Sequence, residues 1–119
     1  MTNQRRAIGE YGERLAERHL TERGLVVLAR NWRCAEGEID LILRDGNDLV
    51  FCEVKTRRSD TYGTPAEAIT RTKVHRLRRL AARWLSESRI HPREVRFDVV
   101  AVTAQPKGAS RIEHIRAAF

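Results

Sequence analysis

The stretch that decides the fold is EIDLILRDGNDLVFCEVK, residues 38–55. Side chains of opposite character alternate along both halves of it, as in strands that bury one face. In residues 38–44, one predicted face carries Ile39, Leu41 and Leu43, and the other carries Glu38, Asp40 and Ile42. In residues 48–55, one predicted face carries Val50, Cys52 and Val54, and the other carries Leu49, Phe51, Glu53 and Lys55. We therefore predict two strands joined by a tight turn.

The turn residues set the register of this predicted hairpin. The Gly-Asn pair at residues 46–47 is a favoured two-residue turn, so Asp45 would face Asp48. Counting back along both strands places Asp40 directly opposite Glu53. Cross-strand partners have Cβ atoms about 4.5–5.5 Å apart and point to the same face. Two anions about 4 Å apart repel by roughly 4 kcal/mol at an effective dielectric near 20, and a divalent cation would reverse the sign.

These residue types favour phosphodiester cleavage. The carboxylates of Asp40 and Glu53, with the backbone carbonyl of Val54, suit a hard cation, Mg²⁺ or Mn²⁺. Lys55 follows Glu53 on the same strand face, where its ammonium could position the attacking water or offset charge that grows on the phosphate. The sequence thus predicts a metal site in which these side chains converge.

A surface interpretation of the same residues stays open. Asp40 and Glu53 would then lie on an exposed sheet face, paired with Arg44, Arg57 or Lys55. The Glu-x-Lys tripeptide alone favours this interpretation, because it arises by chance in roughly every second or third chain of this size. The predicted hairpin register shifts the balance towards a metal site.

The flanking sequence completes an α/β pattern. Helical spacing of apolar residues predicts a helix over residues 8–23 and a long amphipathic helix over residues 66–88, the latter beginning after Pro65. Further strands are predicted at residues 26–31, 95–103 and 111–115, and an exposed polar loop at residues 56–64. The order is α-β-β-β-α-β-β, which indicates a mixed sheet of about five strands flanked by helices.

Composition limits the class of protein. The 119 residues suit a single domain, residues 1–119. An excess of 23 Lys and Arg over 16 Asp and Glu gives a net charge of +7, which favours nucleic acid as a partner, although a solvated basic surface is the alternative. The two cysteines have neither disulfide nor zinc spacing, and no apolar run indicates export or a membrane span. We expect a cytoplasmic protein.

At the residues of the hairpin, the chain resembles the PD-(D/E)xK nuclease superfamily, in which an acid on one strand and Glu-x-Lys on the next form the catalytic core. It resembles the YraN (UPF0102) family more closely, and over nearly the whole chain. The stretches that carry this resemblance are residues 12–16 (GERLA), 30–31 (RN), 37–42 (GEIDLI), 51–57 (FCEVKTR), 97–100 (FDVV) and 114–119 (HIRAAF).

The resemblance implies a restriction-endonuclease-like fold, similar to that of archaeal Holliday-junction resolvases, and nuclease chemistry. It implies metal-ligand roles for Asp40 and Glu53, the role of catalytic lysine for Lys55, and a contribution from a helical carboxylate, Glu13. Cys52 departs from the pattern, because the family more often has valine there. We expect that difference to affect packing only.

Supporting residues have two interpretations each. Glu13 lies at the margin of the apolar face of the first helix, where it could reach the site or remain solvated or paired with a distant arginine. Lys73 lies within the apolar stripe of the second long helix, as a phosphate contact or as a lysine whose stem covers the core. Arginines in or after the predicted loop could grip a nucleic-acid backbone or simply be solvated. These are Arg57, Arg58, Arg71 and Arg76.

Three functions follow as hypotheses. The first is a divalent-metal-dependent DNA endonuclease that acts on branched or damaged DNA, with DNA preferred over RNA. The second is a nucleic-acid-binding protein with a nuclease fold and little or no catalysis, and the third is a basic structural domain for a protein partner. A resolvase would need two sites and so a homodimer, although no segment declares a dimer interface. The sequence also leaves open whether Asp98 is buried and paired.

Overall fold

A computed structural model of the protein describes residues 3–58 and 70–119. Seven elements follow one another: α1 (Asn3–Glu22), β1 (Val26–Cys34), β2 (Gly37–Asp45), β3 (Asp48–Arg58), α2 (Arg71–Ser88), β4 (Val95–Ala104) and β5 (Arg111–Ile115). This order confirms the predicted α-β-β-β-α-β-β sequence. Within the described ranges, neither helix has the length and apolar character needed to cross a membrane.

The strands form one mixed sheet in the order β1-β2-β3-β4-β5. Neighbouring strands are antiparallel except for β3 and β4, which run parallel. A parallel pair needs a long crossover connection, and α2 lies in the segment between these two strands. The predicted five-stranded mixed sheet is therefore confirmed.

Each face of the sheet packs against one helix. Under α1 lies the α1 cluster, in which Ala16 and Leu20 meet buried side chains of the sheet. The sheet residues of the α1 cluster are Leu41, Leu43, Val50, Cys52, Val100 and Val102. Under α2 lies the α2 cluster, which consists of Leu77, Leu80, Ala81, Ile39, Ile42, Leu49 and Phe51. Because Cys52 is fully buried among aliphatic neighbours, its expected packing role is consistent with its place.

The hairpin of β2 and β3 has the predicted register. Asp45 pairs with Asp48, and the pairing continues without a shift to Leu41 opposite Cys52. Gly46 takes a φ of 61°, the left-handed conformation that a tight turn of this kind requires. Asp40 and Glu53 are the next residues on the two strands, immediately beyond the last pair.

The predicted placement of Ile39 on the face of Leu41 and Leu43 is wrong. Ile39 packs into the α2 cluster together with Ile42, whereas Leu41 packs into the α1 cluster. Residues three apart on a regular strand point to opposite faces. The two faces of β2 therefore exchange across Asp40.

In the neighbouring strand β1, the two faces exchange in the same way. Ala29 and Trp32 both pack against the α2 cluster although they are three residues apart. Between them Asn31 adopts a left-handed φ of 49°, and the pairing with β2 shifts register between Val27 and Ala29. An irregularity of this kind turns a strand and re-aims its side chains, which simple alternation does not reveal.

Several predicted boundaries are also wrong. Helix α1 begins at Asn3 and not at residue 8, and β1 extends to Cys34 and not only to residue 31. Residues 56–58, assigned to the start of a loop, continue β3, because they pair with β4 as far as Arg58 opposite Ala104. The long helix begins at Arg71, since Thr70 is extended and its hydroxyl accepts a hydrogen bond from the Lys73 amide at 3.2 Å, as in an N-cap. The rest of the predicted loop, Pro65 and the predicted helical residues 66–69 lie outside the described residues.

Helix α1 approaches the sheet closely at Gly12, which is buried. A Cβ atom at this position would lie 1.7 Å from Oγ1 and 2.7 Å from Cβ of Thr56 in β3. The second of these atoms is fixed by the backbone, so it cannot move aside. Gly12 thus sets the distance between α1 and the sheet.

Asp98 is buried, with 1% of its surface exposed, and it is fully hydrogen-bonded. Its carboxylate accepts two bonds from the Arg96 guanidinium, at 2.9 and 3.0 Å, and one from the Ala117 amide at 3.0 Å. His114 Nε2 lies 2.7 Å from the same carboxylate. Arg96 also binds Asp45 at 3.0 Å, so the network joins β4 to the hairpin turn and to β5.

We predict that Gly12→Ala destabilises the protein by about 1–3 kcal/mol, because the added methyl group overpacks the contact with Thr56. Gly9→Ala is the matched control, since a Cβ at Gly9 meets no atom within 4 Å. That change should stabilise the helix by up to about 1 kcal/mol. Urea unfolding of both variants provides the measurement, and equal effects would contradict the close approach.

We predict that Asp98→Asn destabilises the protein by about 3 kcal/mol at pH 7, because Arg96 loses the more buried of its two carboxylate partners and keeps only Asp45. Burial alone would raise the pKa of Asp98, but the hydrogen bonds, that of Arg96 first, outweigh it and lower the pKa. Asp98 therefore stabilises the fold above its unfolded pKa of about 3.9. The difference in unfolding free energy between wild type and Asp98→Asn should shrink as the pH falls below about 4.

Thermal unfolding of both proteins between pH 3 and 7 measures this difference. Asp48→Asn is the control, because Asp48 pairs at 3.0 Å with Arg93, whose side chain is 70% exposed, and exposed pairs contribute little. A loss in Asp98→Asn no larger than that of the control would refute the structural role of the network.

Candidate active site

The candidate site lies at the open end of the hairpin, where the faces of β2 exchange. Asp40 is partly buried there, and its Oδ2 accepts a hydrogen bond from the Val54 amide at 2.8 Å. This bond ties Asp40 to β3, one residue beyond Glu53. The two predicted metal ligands are thereby held on adjacent strands.

Asp40 has an abnormally high pKa, about 7. Burial is the main cause, and the hydrogen bond from Val54 opposes it. Three further carboxylates raise the pKa in turn, those of Glu13, Glu53 and Glu38. Asp40 is therefore surrounded by negative charge from α1, β2 and β3.

On the α2 side, positive charge balances Glu53. Lys55 Nζ lies 2.9 Å from Glu53 Oε1, and Glu53 is only 13% exposed. Burial would lower the pKa of Lys55, but Glu53 outweighs it and raises the pKa. Lys73 of α2 comes close to Lys55, and its pKa is lowered by partial burial and by that second ammonium. The structure thus brings Lys73 into the site.

On the α1 side, Glu13 is held by a side-chain amide. Asn31 Nδ2 donates to Glu13 Oε2 at 3.0 Å and to Glu38 Oε1 at 3.0 Å. Glu13, Asn31 and Asp40 line one cleft of about 340 Å³ between α1 and the edge of the sheet. The predicted helical carboxylate therefore reaches the site from the layer opposite α2.

The arrangement combines hard oxygen donors with nearby ammonium groups. Among the described residues, no three His, Cys, Asp or Glu side chains already converge tightly enough to hold a metal ion. Part of the surface interpretation holds as well, since Glu53 is paired with Lys55. The carboxylates of Glu13, Glu38 and Glu53 nevertheless act on Asp40, so these groups are the oxygen donors that the site could offer a cation.

The arginines predicted to bind nucleic acid lie on two elements, β3 and α2. Arg57 continues β3 beyond Lys55 and lines a cleft with residues of β4 and β5. Arg58 ends β3 and is exposed, and Arg71 begins α2 and is exposed. Arg76 lies close enough to Lys73 to contribute to its lowered pKa.

Sequence reasoning assigned no role to Asn31 or Glu38, although both fall in stretches that carry the family resemblance. The sequence pattern predicts Asn31 at the end of a regular strand, where a polar side chain indicates no particular function. Its left-handed φ is the feature that turns it towards Glu13. Asparagine is several-fold enriched among residues of positive φ, which is the one signal that the sequence offered.

Comparisons with known proteins give a consistent result. Residues 12–102 match the sequence profile described as "Uncharacterised protein family UPF0102". A UPF0102 protein of Beutenbergia cavernae is 62% identical over 110 residues, which are 92% of this chain and 93% of the relative. A UPF0102 protein of Frankia alni is 58% identical over 113 residues, 95% of this chain and 94% of the relative. The predicted family is confirmed: the chain belongs to UPF0102.

Proposed function

We propose that this protein is a divalent-metal-dependent nuclease that hydrolyses phosphodiester bonds in DNA, with branched or damaged DNA as its substrate class. The observation that carries the proposal is the environment of Asp40. Asp40 is a partly buried carboxylate with a pKa near 7, and three other carboxylates act on it, so this group of like charges would be stabilised by a bound cation. Strongly perturbed pKa values of this kind concentrate at functional sites.

The donor set fits Mg²⁺ or Mn²⁺. Both ions prefer carboxylate, carbonyl and water oxygens, and the acidic side chains that act on Asp40 supply three further carboxylates. Asp40 and Glu53 would hold the ion, with the carbonyl of Val54 as a further donor and Glu13 as an outer carboxylate. When bound, the cation supplies charge that polarises the phosphoryl group.

The lysines complete the chemistry. In hydrolysis a water oxygen forms a bond to phosphorus, the bond from phosphorus to the ester oxygen breaks, and the leaving oxygen acquires a proton. Negative charge accumulates on the phosphoryl oxygens during this step. Lys55, fixed by Glu53 at 2.9 Å, would face that charge, and Lys73 would hold the adjoining phosphate.

The surroundings favour a nucleic-acid substrate. Helix α2 begins beside the site, and its exposed positions include Arg71, Arg76 and Arg78, together with Arg79 and Arg83, which pair with Glu36 and Glu87. Arginines on one helix face grip a phosphate backbone without reading bases. The net charge of +7 acts in the same direction. Arg57 and Arg58, beyond Lys55 on β3, would extend the contact.

We predict cleavage of at least one of single-stranded, duplex and four-way-junction DNA in Mg²⁺ or Mn²⁺. Asp40→Asn and Lys55→Ala should each lower the rate by at least about a hundredfold, because each removes charge from the reacting centre. DNA binding, measured by fluorescence anisotropy, should persist. Gel analysis of labelled DNA provides the rates.

Asp48→Asn serves as the control for this experiment, because Asp48 lies at the turn end of the hairpin, away from the site. It should cleave as wild type does. Binding without cleavage of every substrate would refute the nuclease proposal and favour the alternative, a nucleic-acid-binding protein with a nuclease fold. An RNA substrate in the same series tests the preference for DNA.

We also predict that Mn²⁺ raises the melting temperature of the wild type and not that of Asp40→Asn. A ligand at a hundred times its Kd stabilises the folded state by about 2.7 kcal/mol. Without metal at pH 8, above the raised pKa of about 7, Asp40→Asn should be more stable than wild type, because it relieves repulsion. Differential scanning fluorimetry measures both effects, and a metal-free variant less stable than wild type would contradict the repulsion.

A further inference from the structure

Asn31 makes an unusual pair of contacts. Its side-chain nitrogen lies 3.0 Å from a carboxylate oxygen of Glu13 on α1 and 3.0 Å from one of Glu38 on β2. Two carboxylates can only accept, so both contacts require the NH₂ group of the amide. One neutral residue thus bridges two carboxylates, of which that of Glu38 is also paired with Arg33 at 3.2 Å, and both N–H donors are used.

The backbone explains why this residue can reach α1. Ala29 and Trp32 both pack against the α2 cluster, so the two residues between them turn towards α1. Arg30 pairs there with Glu17, at 2.9 Å between Nη2 and Oε2, and Asn31 bonds Glu13, one helical turn earlier. Two neighbouring residues of one strand could not contact the same helix in this way if the strand alternated regularly.

The position faces Asp40. Arg30 pairs with Leu41 and Trp32 with Ile39, so Asn31 falls opposite Asp40 in the same register. Glu13 and Glu38, the two acids that Asn31 bonds, are among those that act on Asp40. The Asn31 amide therefore lies between two of the carboxylates that act on Asp40, those of Glu13 and Glu38.

We infer that Asn31 is a positioning residue, which holds Glu13 and Glu38 beside Asp40 so that the outer carboxylates are in place for a divalent cation. This inference rests on the proposed nuclease function for its activity readout. Asparagine suits the role for two reasons: it tolerates the left-handed backbone, and its short side chain carries two donors on one atom. Partners that orient metal ligands typically affect metal affinity or activity by about 10- to 100-fold.

Asn31→Gly is the decisive variant. Glycine accepts a φ of 49° without strain, so the strand keeps its course while the amide is lost. We expect Mn²⁺ affinity, measured by calorimetry, and the DNA cleavage rate each to fall by about 10- to 100-fold, while the melting temperature changes little. Wild-type affinity and rate in this variant would overturn the inference.

Two further variants separate positioning from general docking of the helix. Arg30→Gln removes the neighbouring bond to Glu17 and leaves the amide, so it should retain wild-type cleavage. A loss equal to that of Asn31→Gly would mean that any weakening of the contact between α1 and β1 suffices. In a double-mutant cycle, Asn31→Gly combined with Glu13→Gln should lose little more than Glu13→Gln alone, because Asn31 acts partly through Glu13. Fully additive losses would overturn the inference.

A metal-free readout keeps this inference distinct from the proposed function. The side-chain amide resonance of Asn31 in ¹⁵N NMR spectra should shift in Glu13→Gln and in Glu38→Gln but not in Glu17→Gln. No shift in the first two variants would refute the bridge, whether or not the protein cleaves DNA. A wild type that neither binds Mn²⁺ nor cleaves would refute the nuclease function, and the amide resonance would still decide whether the bridge exists.

Discussion

The irregularity of β1 and β2 at Asn31 and Asp40 is the constraint on which the site depends. A regular pair of strands would place Asp40 on one face and leave α1 on the other without access to it. The exchange of faces, visible in Ile39 and Trp32 within the α2 cluster, puts Asp40 at the junction of the two layers. Carboxylates from α1 and β3 can then approach Asp40 from different sides.

Near Asp40, the two helix layers carry different charges. The cleft on the α1 side is lined by Glu10, Glu13, Glu17 and Asp40 and also by Arg14 and Arg30, so its acidic groups outnumber its basic ones, whereas α2 presents Lys73 and several arginines. A polyanion would be repelled by the first surface and attracted by the second. A DNA strand bound as proposed would therefore follow α2, and the acidic cleft would remain available to small cations.

Much of this architecture could be predicted because it depends on short-range rules. A two-residue turn and a side-chain period of two were enough to give the register of Leu41 opposite Cys52. The irregular strand could not be predicted, since the left-handed conformation of Asn31 does not show in the alternation of polar and apolar residues. The extension of β3 through Arg58 depends on its pairing with β4, more than forty residues away. The partners of Asp98 are likewise distant in sequence, so its burial was undecided until the fold was known.

The network around Asp98 also bears on how the protein is made. Synthesis runs from the amino terminus, so Asp98 leaves the ribosome before the residues at 114 and 117 that hydrogen-bond to it. The same holds for the aromatic column, in which Phe97 stacks between Phe51 and Phe119 at centroid distances of 5.7 Å. Strand β4 therefore gains part of its hydrogen bonding and aromatic packing only when the segment that follows it is in place.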